Sequence, residues 1–301
     1  MRKKCLRNYF VLIFIVLSVI TLFTVTCDAR PIVVLTTDFG LDNEAVGICH
    51  GAILSIDSDI AIVDLCNTVT PYDIRLGALI LKDSVNFPLG SVFVTVIDPG
   101  VGTSRKPVAV KTKNGFYYIA PNNGLLTYVI KKYGIESSYL IKPEKFITNY
   151  IKGTFDGRDL FSPAGAIVAS NGGDLSKTGD QIKETELVML DIKDAVPDVL
   201  KGQITGVCLR IDKPYGNVWT NITQEDLKKI NADQGNKFLV NISGKEIEIP
   251  FVLSFGDVPV GMPLCYMNSR GTLAIAINQG NFQEKYNIKD NDSIVIKLIK
   301  K

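Results

Sequence analysis

Apolar residues recur along this chain in two different patterns, one in each half. From residue 31 to about 170, short apolar runs alternate with segments in which apolar residues return at helical spacing. The runs predict strands, and the segments between them predict helices. The predicted strands cover 31–37, 60–65, 91–97, 107–111 and 116–120, and the predicted helices cover 43–54, 73–83, 125–132 and a short stretch at 165–169. Asp73 suits the N-cap of the second helix, and Gly134 suits the end of the third.

This alternation is typical of an α/β domain with a mostly parallel sheet covered by helices on both faces. After about Pro197 the pattern changes to short strands joined by turns such as 243–245 and 269–271. The predicted strands there cover 207–211, 237–242, 246–251, 264–268, 272–277 and 293–299. The sequence therefore predicts an α/β domain over 30–195 and a small all-β barrel or sandwich over 204–301, with the boundary near 190–204.

The first 29 residues fit neither half. Four basic residues within the first seven positions precede an apolar run from about 9 to 25, and the small residue Ala29 follows. This order predicts a signal peptide cleaved after Ala29, and hence an exported protein, periplasmic or secreted. The apolar run is long for a signal peptide, so an uncleaved membrane anchor is the alternative.

Without this segment the chain is close to neutral. The whole chain has 33 basic and 31 acidic residues, for a formal net charge of +2. Four of the basic residues and one acidic residue, Asp28, lie in the first 29 positions, which leaves 29 basic and 30 acidic residues. Phosphate binding needs a concentrated basic face, so this balance argues against nucleic acid as the main partner.

The cysteines and the single histidine argue against a metal site. Beyond the leader the chain has Cys49, Cys66, Cys208 and Cys265, with no C-x-x-C spacing, and His50 is the only histidine. A structural zinc site is therefore not expected. A disulfide would suit an oxidising compartment, but the apolar neighbours of all four cysteines favour small buried side chains.

The loop 96–105 is the strongest candidate for chemistry. The apolar run before it stops at Asp98, and Pro99 and Gly100 lead into a turn that reaches Arg105. Proline presets φ and glycine permits strained backbone, so the loop can hold the carboxylate and the guanidinium in a fixed relation. Open α/β sheets bind their ligands at the carboxyl ends of such strands. The alternative is a turn with a surface ion pair.

Three other loops carry candidate binding groups. Asp38 follows the first strand, where a carboxylate can accept hydrogen bonds from a ribose diol or cap the next helix. The segments 122–124 and 154–159 precede helices, whose first N–H groups are available to a ligand. The alternatives there are a simple turn and a local salt bridge between Arg158 and Asp159.

The segment 214–221 contains the only tryptophan, Trp219. Its ring and the neighbouring amides could hold a flat base, although a lone tryptophan is more often part of the core.

Taken in order, these motifs resemble the adenosine-forming S-adenosylmethionine (SAM) hydrolases, or SAM hydroxide adenosyltransferases, which are related to fluorinating and chlorinating enzymes. The resemblance covers nearly all of residues 31–301. The matching segments are 36–40, 96–105, 122–124, 154–155, 157–159, 216–221 and 268–271.

The resemblance implies an N-terminal α/β domain and a C-terminal β-barrel, usually in a homotrimer with active sites between subunits. It also implies attack of water or hydroxide on the adenosyl 5′ carbon, which expels methionine. No cofactor and no metal are implied, because a sulfonium is already a good leaving group and the protein need only desolvate and align the nucleophile.

The resemblance also implies roles for individual residues. Asp98 and Arg105 match two members of the hydrolases' Asp-Arg-His catalytic set, and Asp38 matches the ligand of the ribose hydroxyls. Asn43 stands where aspartate often helps to hold the methionine amino group. The remaining substrate-binding matches are Tyr72, Asn123, Phe155, Gly157, Asn217, Phe255, Ser269 and Arg270.

The third member of the catalytic set is replaced. Asp156 stands where the hydrolases carry histidine, and His50 falls on a predicted helix where the family tends to have lysine. Asp156 could orient a water molecule as an acceptor, or it could share a proton with Asp98 and act as a base. It could also mark a slow or inactive enzyme that still binds nucleoside.

Four functions are compatible with these residues. Hydrolysis of SAM is favoured over halide transfer, because the halogenating relatives depart from the hydrolase set at Asp98 and Arg105 and this chain does not. The alternatives are a halide adenosyltransferase, and an exported nucleoside-binding protein with weak or no turnover. A surface protein built on a retired enzyme fold is a third.

Overall fold

A computed structural model describes residues 30–84, 86–148 and 150–299. The predicted signal peptide or anchor, residues 1–29, lies outside the described residues. Across the described ranges, no helix is both long and apolar enough to cross a membrane. The chain divides into two units, and we describe each by itself. The first comprises the described parts of Met1–Pro71, Phe87–Pro121 and Tyr133–Glu186, and the second those of Tyr72–Asn86, Asn122–Lys132 and Leu187–Lys301.

A mixed seven-stranded sheet forms the first unit. Its strands are β1 (Ile32–Thr37), β2 (Ala61–Cys66), β3 (Val92–Val96), β4 (Pro107–Thr112), β5 (Tyr117–Pro121), β6 (Ile135–Ile141) and β7 (Gly179–Gln181). They are arranged in the order β2-β1-β3-β5-β4-β6-β7. The first four strands in this order are parallel, and β4, β6 and β7 extend the sheet in antiparallel fashion.

The helices are α1 (Ala45–Leu54), α2 (Ile74–Asp83), α3 (Thr127–Tyr133), α4 (Ser162–Ser170), α5 (Gln224–Lys229) and α6 (Phe282–Tyr286), with a π-helical segment at Gly157–Phe161. In the first unit α1 and α4 share one apolar core with the sheet. The approach of α4 to the sheet is close, since a Cβ on Gly165 would lie 2.2 Å from Cγ2 of Val94. This contact requires glycine at position 165.

The second unit contains an eight-stranded antiparallel sheet. Its strands are β8 (Val196–Asp198), β9 (Gln203–Asp212), β10 (Asn217–Thr223), β11 (Lys237–Ile242), β12 (Lys245–Pro250), β13 (Pro263–Met267), β14 (Thr272–Ile277) and β15 (Ser293–Ile299). The order is β12-β11-β15-β9-β10-β14-β13, with β8 paired to β9. A bridge between Phe251 and Cys265 links the ends of this order, so the sheet is nearly closed.

The predicted fold class is confirmed: a mixed α/β sheet is followed by a barrel-like antiparallel sheet. The strands predicted at 237–242, 272–277 and 293–299 have the same bounds in the structure. Asp73 caps α2 by accepting a hydrogen bond from the Leu76 N–H at 2.8 Å. Four strands that the pattern did not predict are β6, β7, β8 and β10.

Three of the four cysteines are small buried side chains, as their neighbours predicted, and Cys66 is not. Cys49, Cys208 and Cys265 are buried, Cys66 is half-buried, and all four are free thiols. Burial raises the pKa of Cys49 and raises that of Cys208 to about 12, so these thiols are protonated at neutral pH.

Candidate active site

The turn after β3 brings Arg105 back onto Asp98. The Gly100 N–H donates to Asp98 Oδ1 at 3.1 Å, which folds the backbone around the carboxylate. The Thr103 hydroxyl donates to the Gly100 carbonyl and accepts from the Arg105 N–H at 3.2 Å. This short loop therefore fixes the guanidinium beside the carboxylate, as the sequence predicted.

Arg105 joins two carboxylates. Its Nε donates to Asp98 Oδ1 at 3.1 Å, and its Nη2 donates both to Asp98 Oδ2 and, at 2.5 Å, to Asp156 Oδ2. The Arg105 side chain is 8% exposed and each carboxylate is 5% exposed. The guanidinium carbon also lies 5.1 Å from the centre of the Phe161 ring. The cluster is buried, so the alternative of a surface ion pair is wrong.

Asp156 has one carboxylate oxygen to spare. Within the described parts of the chain its Oδ1 is buried and has no hydrogen-bond partner, while its Oδ2 is held by Arg105. A buried acceptor of this kind loses free energy unless a donor reaches it. The site therefore offers a place for an O–H or N–H group beside the Asp156 carboxylate.

The residue after Asp156 must be small. A Cβ on Gly157 would lie 2.9 Å from Cζ of Phe39 and 3.1 Å from the Phe155 ring. These two rings pack edge to face, with their centres 5.6 Å apart. The Phe155 carbonyl accepts from the N–H groups of both Arg158 and Asp159 as the π-helical segment begins. π-Helical turns are often found at functional sites.

Beyond Asp156, Arg158 and Asp159 form an exposed local salt bridge with a distance of 2.5 Å from Nε to Oδ1. This pairing confirms the alternative interpretation given for these two residues.

The cluster carries one more negative charge than it can neutralise when both acids are ionised. Burial raises the pKa of Asp98; Arg105 opposes this effect, and the charge of Asp156 adds to it. Tyr150, which sequence reasoning did not single out, is influenced by the same charges: burial raises its pKa, and Asp156 raises it further. The cluster can therefore take up a proton more readily than an exposed carboxylate.

Asp38 and Asn43 also lie in the first unit. Asp38 follows β1 and is half-buried. The residue at the N-cap of α1 is Glu44, so the interpretation of Asp38 as the cap is wrong. The Asn43 side chain is held locally, since Nδ2 donates to the Phe39 carbonyl and Oδ1 accepts from the Ala45 N–H, each at 2.9 Å.

The second unit has a cavity of about 880 Å³. Three predicted residues, Asn217, Phe255 and Ser269, lie in its wall, and Trp219 lines it as a half-buried ring rather than as part of the core. The Asn217 amide is buried and donates to Asp212 Oδ2 at 3.1 Å. The wall is mostly apolar and aromatic with a few amides, which suits a flat, partly polar ligand.

Several wall residues were missed by sequence reasoning. They are Asp212, Tyr266, Ile277, Asn278, Gln279, Gly280 and Asn281, whereas Pro214, Tyr215 and Asn268 lie within the segments 214–221 and 268–271 that the sequence had indicated. The run 278–281 follows a predicted strand directly and is rich in amides and glycine. This composition could have indicated a loop with polar groups for a ligand.

The other predicted residues of the second unit are not in this wall. The Arg270 Nη1 donates to the Asp83 carbonyl at 2.7 Å, and Asn123 Oδ1 accepts from the Leu125 N–H at 3.3 Å. Tyr72 is exposed and has a left-handed backbone with φ of 67°. Across the described ranges, no group of three or more His, Cys, Asp or Glu side chains is placed to hold a metal ion.

Fold and site define a class of protein with an α/β unit that carries a buried carboxylate–guanidinium cluster and a barrel-like unit that carries a cavity. Residues 33–179 match the SAM hydroxide adenosyltransferase N-terminal domain, and residues 206–295 match the C-terminal domain of the same family. The chain belongs to the SAM hydroxide adenosyltransferase family.

Its relatives include enzymes named for two reactions. A fluorinase from Nocardia brasiliensis is 34% identical, with the alignment covering 91% of this chain and 99% of the relative. An (R)-S-adenosyl-L-methionine hydrolase from Methanocaldococcus jannaschii is 32% identical, covering 89% and 97%. The crystal structure of an uncharacterized conserved protein from Thermotoga maritima superposes with a TM-score of 0.82 at 34% identity, covering 88% of this chain and 99% of that one. The family is thus one of SAM-using enzymes.

Proposed function

We propose that the protein hydrolyses SAM to adenosine and methionine. The observation that carries the proposal is the buried cluster of Asp98, Arg105 and Asp156, with one acceptor oxygen left over. A neutral water molecule that donates to Asp156 Oδ1 would be held beside two carboxylates, in a site where little other water competes.

The reaction balances without a cofactor. The water oxygen forms a bond to the 5′ carbon, the bond from that carbon to sulfur breaks, and its electron pair stays on sulfur as the thioether of methionine. The proton that water loses goes to the carboxylate pair. Asp156 Oδ1 is the oxygen free to receive it, since Asp98 is engaged by Arg105 and by the Gly100 N–H.

Charge favours water over halide as the nucleophile. With both acids ionised, two carboxylates surround one guanidinium, and an anion entering this place would meet a net negative charge. The names of several relatives make halide transfer the second candidate. Nucleoside binding with weak or no turnover is the third, because Asp156 replaces the histidine of the hydrolase set.

The proposal includes assembly and location. The protein is a homotrimer in which neighbouring subunits complete each active site, and it is exported after cleavage behind Ala29 or stays anchored in the membrane. Family membership supports the trimer. The order of basic, apolar and small residues at the start of the chain supports export or anchoring.

An isotope experiment tests the reaction. The chain from Arg30 to Lys301 is incubated with SAM in oxygen-18 water, and adenosine is analysed by mass spectrometry. We expect one labelled oxygen in adenosine, formed in proportion to the enzyme. Asp98→Asn should abolish labelling, while Asp156→His restores the hydrolase set and should keep or increase it.

Two outcomes would contradict hydrolysis. A 5′-halogenated nucleoside formed in preference to adenosine when chloride or fluoride is added would support halide transfer. If adenosine is not labelled even with Asp156→His, but calorimetry detects heat on adding adenosine, the chain binds nucleoside without turning SAM over.

A further inference from the structure

We propose that Asn67 is a positioning residue for Asp38, and that Asp64 and His50 fix the orientation of its amide. The inference rests on the proposed function, in which Asp38 binds the ribose diol of the substrate. All these residues belong to the first unit.

Asn67 accepts hydrogen bonds from residues on both sides of Asp38. The Thr37 hydroxyl donates to Asn67 Oδ1 at 3.0 Å, and the Gly40 N–H donates to the Asn67 carbonyl at 2.8 Å. Asp38 therefore lies between two hydrogen bonds to a single residue. Asn67 thus restrains the segment that carries the Asp38 carboxylate.

These bonds are made inside the protein. Asn67 is 4% exposed and Thr37 is fully buried, so water cannot easily replace either partner. The Thr37 hydroxyl also accepts from the Phe39 N–H at 3.3 Å. The Phe39 ring packs in turn against Phe155, which precedes Asp156. The same segment thus carries Asp38 and borders the catalytic cluster.

A carboxylate fixes which way the Asn67 amide points. Its Nδ2 donates to Asp64 Oδ1 at 2.7 Å, and His50 Nε2 lies 3.0 Å from the same oxygen. A carboxylate only accepts hydrogen bonds, so it holds the NH₂ group towards itself and leaves Oδ1 for Thr37. The His50 and Asp64 side chains are 29% and 45% exposed, so the contribution of this pair is smaller than that of Asn67.

The register of the sheet places Asn67 at this point. The pairing of β1 with β2 shifts between Leu35 and Thr36, just before β1 ends. Asn67 follows β2 directly and faces the end of β1. Alternatively, these bonds only stabilise the ends of the strands. A positioning role predicts that their loss weakens the binding of a ligand with ribose hydroxyls more than that of a ligand without them, and a stabilising role predicts no such difference.

The test compares two ligands that differ only in the ribose hydroxyls. Dissociation constants of adenosine and 2′,3′-dideoxyadenosine are measured by calorimetry on the chain from Arg30 to Lys301. Asn67→Ala should weaken adenosine binding by about tenfold, the scale of a lost buried hydrogen bond, and change dideoxyadenosine binding by less than about twofold. His50→Ala should weaken adenosine binding by about threefold, and His50→Gln, which keeps an N–H donor, should restore it.

A double-mutant cycle separates positioning from stability. If Asn67 acts through Asp38, adding Asn67→Ala to Asp38→Ala costs no further affinity for adenosine. Thr37→Val serves as a second variant that removes the hydroxyl at nearly constant volume, should Asn67→Ala fail to fold. It should reduce the preference for adenosine in the same way.

The outcomes are distinguishable. Equal weakening of both ligands, or a lower melting temperature with unchanged affinities, would mean that Asn67 is structural only and would overturn the inference. An unmodified chain that binds neither ligand, or for which Asp38→Ala changes neither affinity, would overturn the inference, whereas hydrolysis itself is decided by the oxygen-18 experiment.

Discussion

Asp156 and Asp98 both accept hydrogen bonds from the guanidinium of Arg105. Two residues of this cluster could be paired from the sequence, because Asp98 and Arg105 lie on one short loop whose proline and glycine restrict its path. The third is 51 positions from Arg105, and no spacing rule connects them. It was found from the resemblance, but its unpaired oxygen is visible only in the structure.

The shared charge predicts a change in pH dependence. Under the proposed reaction the carboxylate pair must be ionised, so activity should fall as pH drops through the raised pKa of Asp98. Burial is the main cause of that raised pKa and the Asp156 charge adds to it. Asp156→Asn removes the added charge and leaves Asp98 as the remaining carboxylate that can accept the proton, so the acid limb of the kcat/KM profile should move to lower pH. The profile of the slower variant is measured at high enzyme concentration.

An acid limb that stays in place or moves to higher pH would mean that the two carboxylates do not influence each other. Asp159→Asn is the matched control, because Asp159 is paired with Arg158 on the surface and lies outside the cluster. Its profile should match that of the unmodified protein.

At the scale of elements, strands were predicted well where apolar residues alternate and poorly where polar ones are buried. β11 shows Phe238, Val240 and Ile242 on its inner face, and its bounds were predicted. β10 contains Thr220, which is fully buried because its hydroxyl donates to the Leu273 carbonyl at 2.7 Å. Such a partner comes from a distant strand, so a single sequence does not reveal that the threonine is inside.

β6 was missed for the same reason. Ser138 is buried and donates to the Ile182 carbonyl at 3.0 Å. The antiparallel extension of the first sheet, which β6 and β7 complete, therefore followed only from the structure. The parallel strands with continuous apolar runs needed no such partner and could be predicted.

The start of the π-helical segment gives a prediction for this element. Gly157→Ala should lower the free energy of unfolding by about 1–3 kcal/mol, because its methyl group would displace the rings of Phe39 and Phe155. Chemical denaturation measures the change. Turnover should fall too, since the displaced Phe39 lies next to Asp38.

Gly47→Ala is the matched control for this substitution. Gly47 lies inside α1, and a Cβ there would meet nothing within 4 Å. Alanine should leave stability unchanged or raise it by up to about 1 kcal/mol. If both variants lose the same stability, the contact with the rings does not explain the effect at Gly157.

At the scale of the whole molecule, the division into an α/β part and a barrel-like part could be predicted because the pattern of apolar residues changes along the chain. The membership of 72–86 and 122–132 in the second unit could not be predicted, since it depends on contacts between segments far apart in sequence.

The proposed homotrimer can be tested by measuring the mass of the protein in solution. Light scattering on the chain from Arg30 to Lys301 should give three times the subunit mass at concentrations that support turnover. A monomer that hydrolyses SAM at full rate would contradict the shared active site.

The unequal numbers of acids and bases in the cluster have a consequence for the reaction cycle. SAM carries a positive sulfonium, and under the proposed reaction that charge disappears when the carbon–sulfur bond breaks. The buried cluster, with one uncompensated carboxylate, would thus be neutralised by the charge of the substrate and not by the thioether of methionine. The proton left by the reaction would then neutralise the cluster itself. The same residues that align water would therefore favour binding of the substrate over retention of the products.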